Sequence, residues 1–286
     1  MARSAHAPLE ARSPRLSFAG VPRHWFAGDR TATHVANAVN LLFPAGERFF
    51  VRSVHRFAAR IRDAELKERV RGFSQQEGHH ARAHEEWFRT LEAQGFEVER
   101  FLAVYQRICF GIIEKISPDK LALATTAAAE QFTALLARDT IESDIFANAA
   151  PALRELLMWH AAEELEHKSV AYDVLQEVAP GWGWRAAGMA MGATLLVSFW
   201  AAGFVVLNHQ DRKLPEEPRE SLRGKLGKAR LEELDAIVAR MRARRRAMGS
   251  RIFLRGIADY LRPGFHPDQI DDASLLKSGL AAAGLA

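Results

Sequence analysis

The chain contains the pattern E-x-x-H at two places where it can hold a metal ion, Glu77 with His80 and Glu164 with His167. Residues three apart on a helix lie on the same face, so each pair can direct a carboxylate and an imidazole at one ion. This mixed oxygen and nitrogen set suits iron or manganese better than a thiolate-rich structural zinc site. The two motifs therefore predict metal binding by helices.

A single glutamate precedes each motif, Glu47 before the first and Glu130 before the second. The order E, E-x-x-H, E, E-x-x-H is the ligand order of a ferritin-like four-helix bundle with two metal ions in its core. A further histidine lies one turn before the last glutamate, on the same face of its helix. The predicted ligands are Glu47, Glu77, His80, Glu130, His160, Glu164 and His167.

Some neighbouring residues compete for a role in this site. His84 follows the first motif by one turn and is either an extra ligand or a residue that orients a ligand. Glu163 is a rival to Glu164 as the carboxylate ligand, but only Glu164 is in E-x-x-H register with the last histidine. Glu47 could instead be paired with an arginine such as Arg48, in which case no metal would be needed there.

Helix signals place these residues on four separate helices. Pro44 and Gly46 should interrupt a helix just before Glu47, and Asp63 can cap a long helix that ends near Gly95. A third ligand helix is expected from about residue 121 to 140. Pro151 suits the first turn of a fourth, which is expected to run to about residue 178. The prediction is an all-α fold, a ferritin-like bundle with a dinuclear metal core and additional C-terminal helices.

Composition limits the class of protein. The chain has 286 residues, is 48% hydrophobic, carries a formal charge of +4 and has a single cysteine, Cys109. This length can bury a full core, and the small charge does not favour nucleic-acid binding. One cysteine allows no internal disulfide and no cysteine-based metal site. The first 20 residues lack an apolar signal region. We expect a cytoplasmic protein, with membrane association as the alternative.

Three regions are expected along the chain: an N-terminal arm (1–30), the metal-binding bundle (31–180) and a helical extension (181–286). The extension contains an uncharged run, 186–207, which is long enough to span a membrane. Its glycines also suit close packing, so a buried or dimer-interface helix is preferred over membrane contact. A basic helix is expected over 223–251, where it could touch anionic lipid.

Four motifs resemble the bacterial family called "predicted metal-dependent hydrolase". They are FPAGERFF from Phe43, the Q-E-x-x-H-x-x-x-H run from Gln76, EELEHK from Glu163 with AYD from Ala171, and RPGFHP from Arg262. The resemblance covers roughly residues 20 to 272 and implies metal dependence and hydrolysis. The position of His160, four residues before the last E-x-x-H motif, also resembles the ligand pattern of the arylamine N-oxygenases. That resemblance is limited to the ligands, and N-oxygenation is not inferred.

Three functions follow from these patterns. The preferred one is a dinuclear non-haem iron oxidase or oxygenase, with Fe/Fe first, Mn/Fe as an alternative and zinc less favoured. It would take O2, an electron donor and an apolar small molecule. The second is hydrolysis by a metal-activated water. The third is a metal-binding bundle without catalysis.

Overall fold

The computed structural model describes residues 8–215, 236, 239 and 254–285, and the basic helix expected over 223–251 lies almost wholly outside them. The all-α fold class is confirmed, because helices dominate the described residues and no strand occurs among them. One isolated antiparallel bridge joins Phe26 to Ala149. The division into arm, bundle and extension stays a prediction.

Eleven α-helices are described, in chain order. They are α1 (Arg30–Asn40), α2 (Phe43–His55), α3 (Ala64–Ala93), α4 (Val98–Gln106), α5 (Glu114–Ile116), α6 (Asp119–Ser143), α7 (Pro151–His167), α8 (Val170–Val178), α9 (Trp182–Asp211), α10 (Gly256–Leu261) and α11 (Ala273–Ala282). A π-helical segment, Arg107–Ile113, joins α4 to α5. Short 3-10 turns lie at Ala58–Arg60 and Pro267–Gln269.

The predicted helix signals act where expected. Pro44 lies in the first turn of α2, and the chain breaks between α1 and α2 just before it. The Asp63 carboxylate accepts hydrogen bonds from the first-turn amides of α3. Gly95 follows that helix with a φ of 97°, which glycine adopts without strain. Pro151 is the first residue of α7. One expectation was wrong: α7 ends at His167, and a turn separates it from α8.

The four helices that carry the predicted ligands are α2, α3, α6 and α7. Helix α2 packs against α3, and α6 packs against α7. The two pairs also touch each other, α2 against α6 and α3 against α7. Each ligand helix therefore has two neighbours among the other three, so residues on the four inner faces can meet. Whether this arrangement is ferritin-like stays a prediction.

Helix α9 contains the apolar run 186–207 and lies against α6 and α1. Its inner face includes Gly188 and Gly203, which are buried. Its outer face is open, with Val197 46% and Val205 63% exposed. Within α9 an 18-residue window has a mean hydropathy of 2.0, and 17% of it is buried. By length and composition this helix could span a membrane, which is weak support for membrane association. It is not the buried helix that was preferred, and a dimer interface remains a prediction.

The C-terminal motif that begins at Arg262 docks on α8. The Tyr172 hydroxyl donates to the Phe265 carbonyl at 2.5 Å, and His266 Nε2 lies 2.9 Å from an oxygen of Asp173. The other oxygen of Asp173 accepts from Arg69 on α3 at 3.0 Å. Two motifs that are distant in the sequence therefore meet and brace the helix that follows the last predicted ligand.

The close contact between α9 and α6 yields a test of the packing. A Cβ atom on Gly188 would lie 2.3 Å from the backbone of Ala124, whereas one on Gly183 of the same helix would meet nothing within 4 Å. Gly188→Ala should lower the free energy of unfolding by about 2 kcal/mol or more through overpacking. Gly183→Ala should leave it unchanged or raise it by up to about 1 kcal/mol. Urea unfolding of both variants measures the difference, and equal stabilities would contradict this packing.

Candidate metal centre

The structure brings all seven predicted ligands to one place in the core. None of them is more than 4% exposed. They come from all four inner helices: Glu47 on α2; Glu77 and His80 on α3; Glu130 on α6; His160, Glu164 and His167 on α7.

One half of the cluster surrounds His167. Its Nε2 atom lies 3.4 Å from an oxygen of Glu77, 3.4 Å from one of Glu130 and 3.5 Å from one of Glu164. Ligand atoms that each lie about 2.0–2.2 Å from a common ion are about 3–3.5 Å apart. One nitrogen and three carboxylates therefore have the mutual spacing of a metal coordination sphere.

The other half surrounds His160. Its Nε2 atom lies 2.8 Å from Glu164 Oε1 and 3.6 Å from Glu47 Oε1. The His80 ring stacks on the His160 ring with centroids 4.2 Å apart. Because Glu164 Oε1 faces both His160 and His167, this carboxylate lies between the two halves. That position suits a carboxylate that bridges two ions.

The carboxylates in this cluster lack ordinary partners. Both oxygens of Glu47, Glu77 and Glu130 are buried without a hydrogen bond, and so is one oxygen of Glu164. An ionised carboxylate in this state is costly unless a cation lies beside it. Arg48, the alternative partner for Glu47, instead pairs with Glu85 near the surface at 2.7 Å. The unpaired oxygens therefore favour metal ligation over internal salt bridges.

The pKa values of these carboxyl groups reflect their burial beside one another. Burial, and then the charges of neighbouring glutamates, raise the pKa of Glu47 and of Glu77 well above the ordinary value. Burial likewise raises the pKa of Glu130 to about 8. Burial also acts to raise the pKa of Glu164, but His167 and His160 outweigh it and hold that pKa well below the ordinary value. Without metal, the cluster must hold protons on some carboxyl groups.

The histidines differ in the same environment. Burial, and then His160, lower the pKa of His80 and of His84 well below the usual value, so both are neutral at physiological pH. Burial acts in the same direction on His167, but the charge of Glu164 overcomes it and raises the pKa of His167 to about 9. In the metal-free cluster His167 therefore acts as the internal cation, a role that a metal ion would take over.

Charge and donor type fit two divalent ions. Four carboxylates carry four negative charges when ionised, and two divalent ions carry four positive charges. The three histidines add neutral nitrogen donors, which iron, manganese and zinc all accept. The residues present therefore fit a dinuclear centre, although their donor types do not select one metal.

A hydrogen bond outside the cluster fixes the tautomer of His167. Gln76 Nε2 donates to the Glu166 carboxylate at 2.7 Å and to the Glu10 carbonyl at 3.0 Å. The amide oxygen of Gln76 therefore faces His167 Nδ1, at 3.0 Å, and that nitrogen must carry the proton. When the ring is neutral, as a metal ligand must be, its lone pair is on Nε2, the buried atom that faces the three carboxylates and has no hydrogen bond.

A hydrogen bond also fixes the tautomer of His80. Its Nε2 atom lies 2.8 Å from Glu163 Oε2 and must donate to that carboxylate, which leaves Nδ1 as the buried nitrogen without a hydrogen bond. Glu163, the proposed rival of Glu164, is therefore engaged outside the cluster, because its other oxygen accepts from Arg12. Arg12 bonds that oxygen through its backbone amide at 2.9 Å and Glu166 through its guanidinium, also at 2.9 Å. A carboxylate behind a ligating histidine is a common feature of metal sites.

Arg12 therefore completes a chain of hydrogen bonds that links the two E-x-x-H histidines through the ring nitrogens that face away from the cluster. The order is His80, Glu163, Arg12, Glu166, Gln76, His167. Sequence reasoning treated 1–30 as an arm and assigned Arg12 no role. No local pattern marks it, since its partners lie about 150 residues away. Gln76 was part of a motif but was not predicted to be functional.

His84 contacts the cluster through His160. Its Nε2 atom is 2.7 Å from His160 Nδ1, so the two rings share one proton between them. His160 then directs Nε2 at Glu164 and Glu47. This geometry suits the orienting role for His84, although its other nitrogen also lies buried and unbonded.

An apolar cavity of about 110 Å³ adjoins the cluster, and neither Arg12 nor its hydrogen-bond partners line it. Its walls include His160 and Glu164, so a molecule in it would lie beside two predicted ligands. Phe43 also lines it, with its ring centroid 4.6 Å from that of His160 and 4.9 Å from that of His84. The cluster is therefore polar on one side and faces an apolar space on the other.

A second group of metal-type donors lies elsewhere, at His24, His34 and Asp211. His24 Nε2 is 3.0 Å and His34 Nε2 is 3.3 Å from the same Asp211 oxygen. Arg23 and Arg30 also approach Asp211, at 3.4 and 3.7 Å. Two guanidinium groups already offset the single carboxylate, so this group is a poor cation site and best explained as a structural tie between α1 and the end of α9.

Fold and site together define an all-helical protein with a buried cluster of carboxylates and histidines suited to metal. A family model described as "Predicted metal-dependent hydrolase" matches residues 10–271. The match covers most of the chain, so the protein belongs to this family, and the predicted family resemblance is confirmed. No curated protein and no solved structure matches the chain significantly. The family description supports the hydrolase alternative better than the preferred oxidase, and the ferritin-like di-iron pattern is not confirmed by it.

The hydrogen-bonded chain behind the histidines predicts a loss of metal affinity when it is broken. Glu163→Gln should weaken binding of a divalent metal about 10–100-fold, because the amide no longer provides the charged acceptor that orients His80. Arg12→Ala should act in the same direction. Glu86→Gln, at an exposed position on α3, is the matched control. Chelator competition measures the affinities. Wild-type affinity in both variants would show that these hydrogen bonds do not support metal binding.

The raised carboxyl pKa values predict that metal binding depends on pH. Protons on Glu47, Glu77 and Glu130 must leave when metal binds, so affinity should rise from pH 6 to pH 8 and binding should release protons. Chelator competition at both pH values, corrected for the chelator's own protonation, measures the first effect. Titration in weak buffer measures the second. An affinity that does not change with pH would show that these groups are not ligands.

Proposed function

We propose that the protein is a dinuclear metal enzyme that uses dioxygen to oxidise an apolar small molecule. The observation that carries the proposal is the set of buried carboxylate oxygens of Glu47, Glu77, Glu130 and Glu164 that have no hydrogen-bond partner. Such a set is costly to fold for any purpose other than binding cations. Two reduced irons, or iron with manganese, would supply the electrons for dioxygen when bound.

The surroundings of the cluster favour oxidation of an apolar molecule. The cavity beside His160 and Glu164 is lined mainly by aliphatic and aromatic side chains, among them Val39, Leu136 and Phe146. These side chains exclude water and offer no charged group besides Glu164 to bind a polar substrate. Exclusion of water also protects a reactive centre from side reactions.

The protein's own residues have distinct tasks in this proposal. His80 and His167 present fixed lone pairs because Glu163 and Gln76 hold their other nitrogens. Glu164 lies between the two halves of the cluster and would hold both ions. Phe43 packs against the His160 ring and forms part of the cavity wall beside it. An electron donor is also required, and we propose a separate protein or small reductant for it.

The second candidate is hydrolysis by a metal-activated water, and the description of the family favours it. The same ligands would hold the ions, and a water between them would become the nucleophile. The third candidate, a metal-binding bundle without catalysis, has no need of the cavity beside His160. The three candidates share the metal site and differ in what the bound metal does.

Metal analysis with an oxygen test separates these candidates. Protein purified without chelators should contain about two metal ions per chain, as a dinuclear centre requires. After anaerobic reduction, exposure to oxygen should produce a transient visible or near-ultraviolet band. Zinc alone, or metal that ignores oxygen, would exclude the oxidase and favour hydrolysis or a structural site.

Substitution of ligands tests the site itself. Glu164→Ala and His167→Ala should each abolish stoichiometric metal loading, because Glu164 is shared by both halves and His167 is central to one. His209→Ala, at an exposed position on α9, is the control and should load normally. Retention of both metals in the two ligand variants would place the metal elsewhere.

A further inference from the structure

The cavity beside the cluster is the first of three that lie end to end. The second cavity, of about 100 Å³, is bounded by α1, α2, α6, α9 and the π-helical segment. The two cavities share Val39, Phe43 and Thr133 as walls. These three side chains therefore form the junction between the two neighbouring cavities.

The third cavity, of about 30 Å³, extends the series towards the surface. It shares Cys109, Phe110 and Leu195 with the second cavity. At its far end it reaches Glu114 and Ser117, at the end of the helical segment before α6. We call the three cavities together the channel. It extends from the predicted metal ligands at one end to Glu114 and Ser117, beside α5, at the other.

The middle of the channel has no polar group free to recognise a substrate. The hydroxyl groups of Tyr105, Thr125 and Thr133 line the second cavity, but each donates a hydrogen bond to a backbone carbonyl. Burial raises the pKa of the Cys109 thiol to about 12, so this residue is neutral. The remaining side chains are apolar. Only hydrocarbon can fill this part of the channel without losing hydrogen bonds to water.

The outer wall of the channel is the π-helical segment. Cys109 and Phe110 of this segment face the channel. On the opposite side Ile108 is 38% and Ile112 is 49% exposed, and Ile116 at the end of α5 is 77% exposed. π-helical turns occur often at functional sites, and clustered exposed aliphatic residues indicate an interaction surface. The outer end of the channel therefore lies close to exposed aliphatic side chains.

We propose that the channel binds one unbranched alkyl chain, whose far carbons reach the metal ligands and whose head group remains near α5. Three small cavities joined through shared walls suit a linear chain, whereas a ring system would fill one cavity and leave the others empty. Arg52 and Arg56 lie at the outer end, where both bond Glu114 at 2.6–3.3 Å. Arg56 also bonds Asp119 at 3.1 Å, so two cations meet two carboxylates here and the charges do not select a head group. The reaction of the chain rests on the proposed function, but its binding does not.

Binding of saturated fatty acids to the full-length protein tests the proposal. Affinity should rise about fourfold per added methylene until the channel is full. Isothermal titration with the acids of six to sixteen carbons, each below its micelle concentration, gives the series. The absence of binding at every length would overturn the proposal and would leave the cavities as packing defects or a path for gas.

A substitution at the junction locates the chain. Thr133→Phe should block passage into the first cavity, so affinity should stop rising at a shorter chain and the longest acid should lose at least tenfold. Thr194→Phe makes the same change at an exposed position on α9 and should leave the series unchanged. If Thr133→Phe lowers no affinity, the acids bind the outer apolar surface and the channel is excluded.

A second variant tests the same proposal if Thr133→Phe does not fold. A Cβ atom on Gly192 would make only ordinary contacts, the nearest at 3.5 Å, and Gly192 lines the second cavity. Gly192→Leu should therefore fold and weaken binding of the longer acids, with Gly183→Leu as its control. Wild-type binding by Gly192→Leu would also exclude the channel. Metal content and oxygen reactivity of the same preparations report separately on the proposed function, so the two proposals can fail independently.

Discussion

The structure depends on the burial of four carboxylates in one core. Each of Glu47, Glu77, Glu130 and Glu164 lies on a different helix of the inner four, and none is paired with lysine or arginine among the described residues. Repulsion between like charges in a medium of low polarity opposes this arrangement. Helix packing alone would select apolar residues at these positions. Their presence supports the proposal that cations complete the folded state.

The cluster has two unlike sides, and each side has its own role. On one side, hydrogen bonds through Gln76, Glu163 and Arg12 set which nitrogen of each histidine faces inward. On the other side, Phe43 and the apolar walls keep water away. Fixed donors and a dry space are both needed for redox chemistry at a metal, but a hydrolase also needs room for water. The balance of the surroundings favours oxidation, while the family description favours hydrolysis.

Much of the framework could be predicted because the signals that determine it lie close together in the sequence. Spacing within a helix marked the ligands, Asp63 capped α3, and Pro151 started α7. The rest depends on contacts between distant parts of the chain. Nothing near Arg12 in sequence reveals Glu163, and no periodicity shows which helix an apolar run such as 186–207 will cover. The break after His167 was missed because apolar residues continue in helical register beyond it, and tertiary contacts decide where the helix stops.

The link between Arg12 and Glu163 spans 151 positions of the chain. The Arg12 side chain has neither Glu163 nor Glu166 to bond until α7 has been made and has packed, although the Glu10 carbonyl can already accept from Gln76 on α3. Contacts of such long separation form late because loop closure must precede them. The bonds from Arg12 to Glu163 and Glu166 are therefore expected to close after α7 has packed. That order would leave an interval in which ions can reach a core that is later sealed.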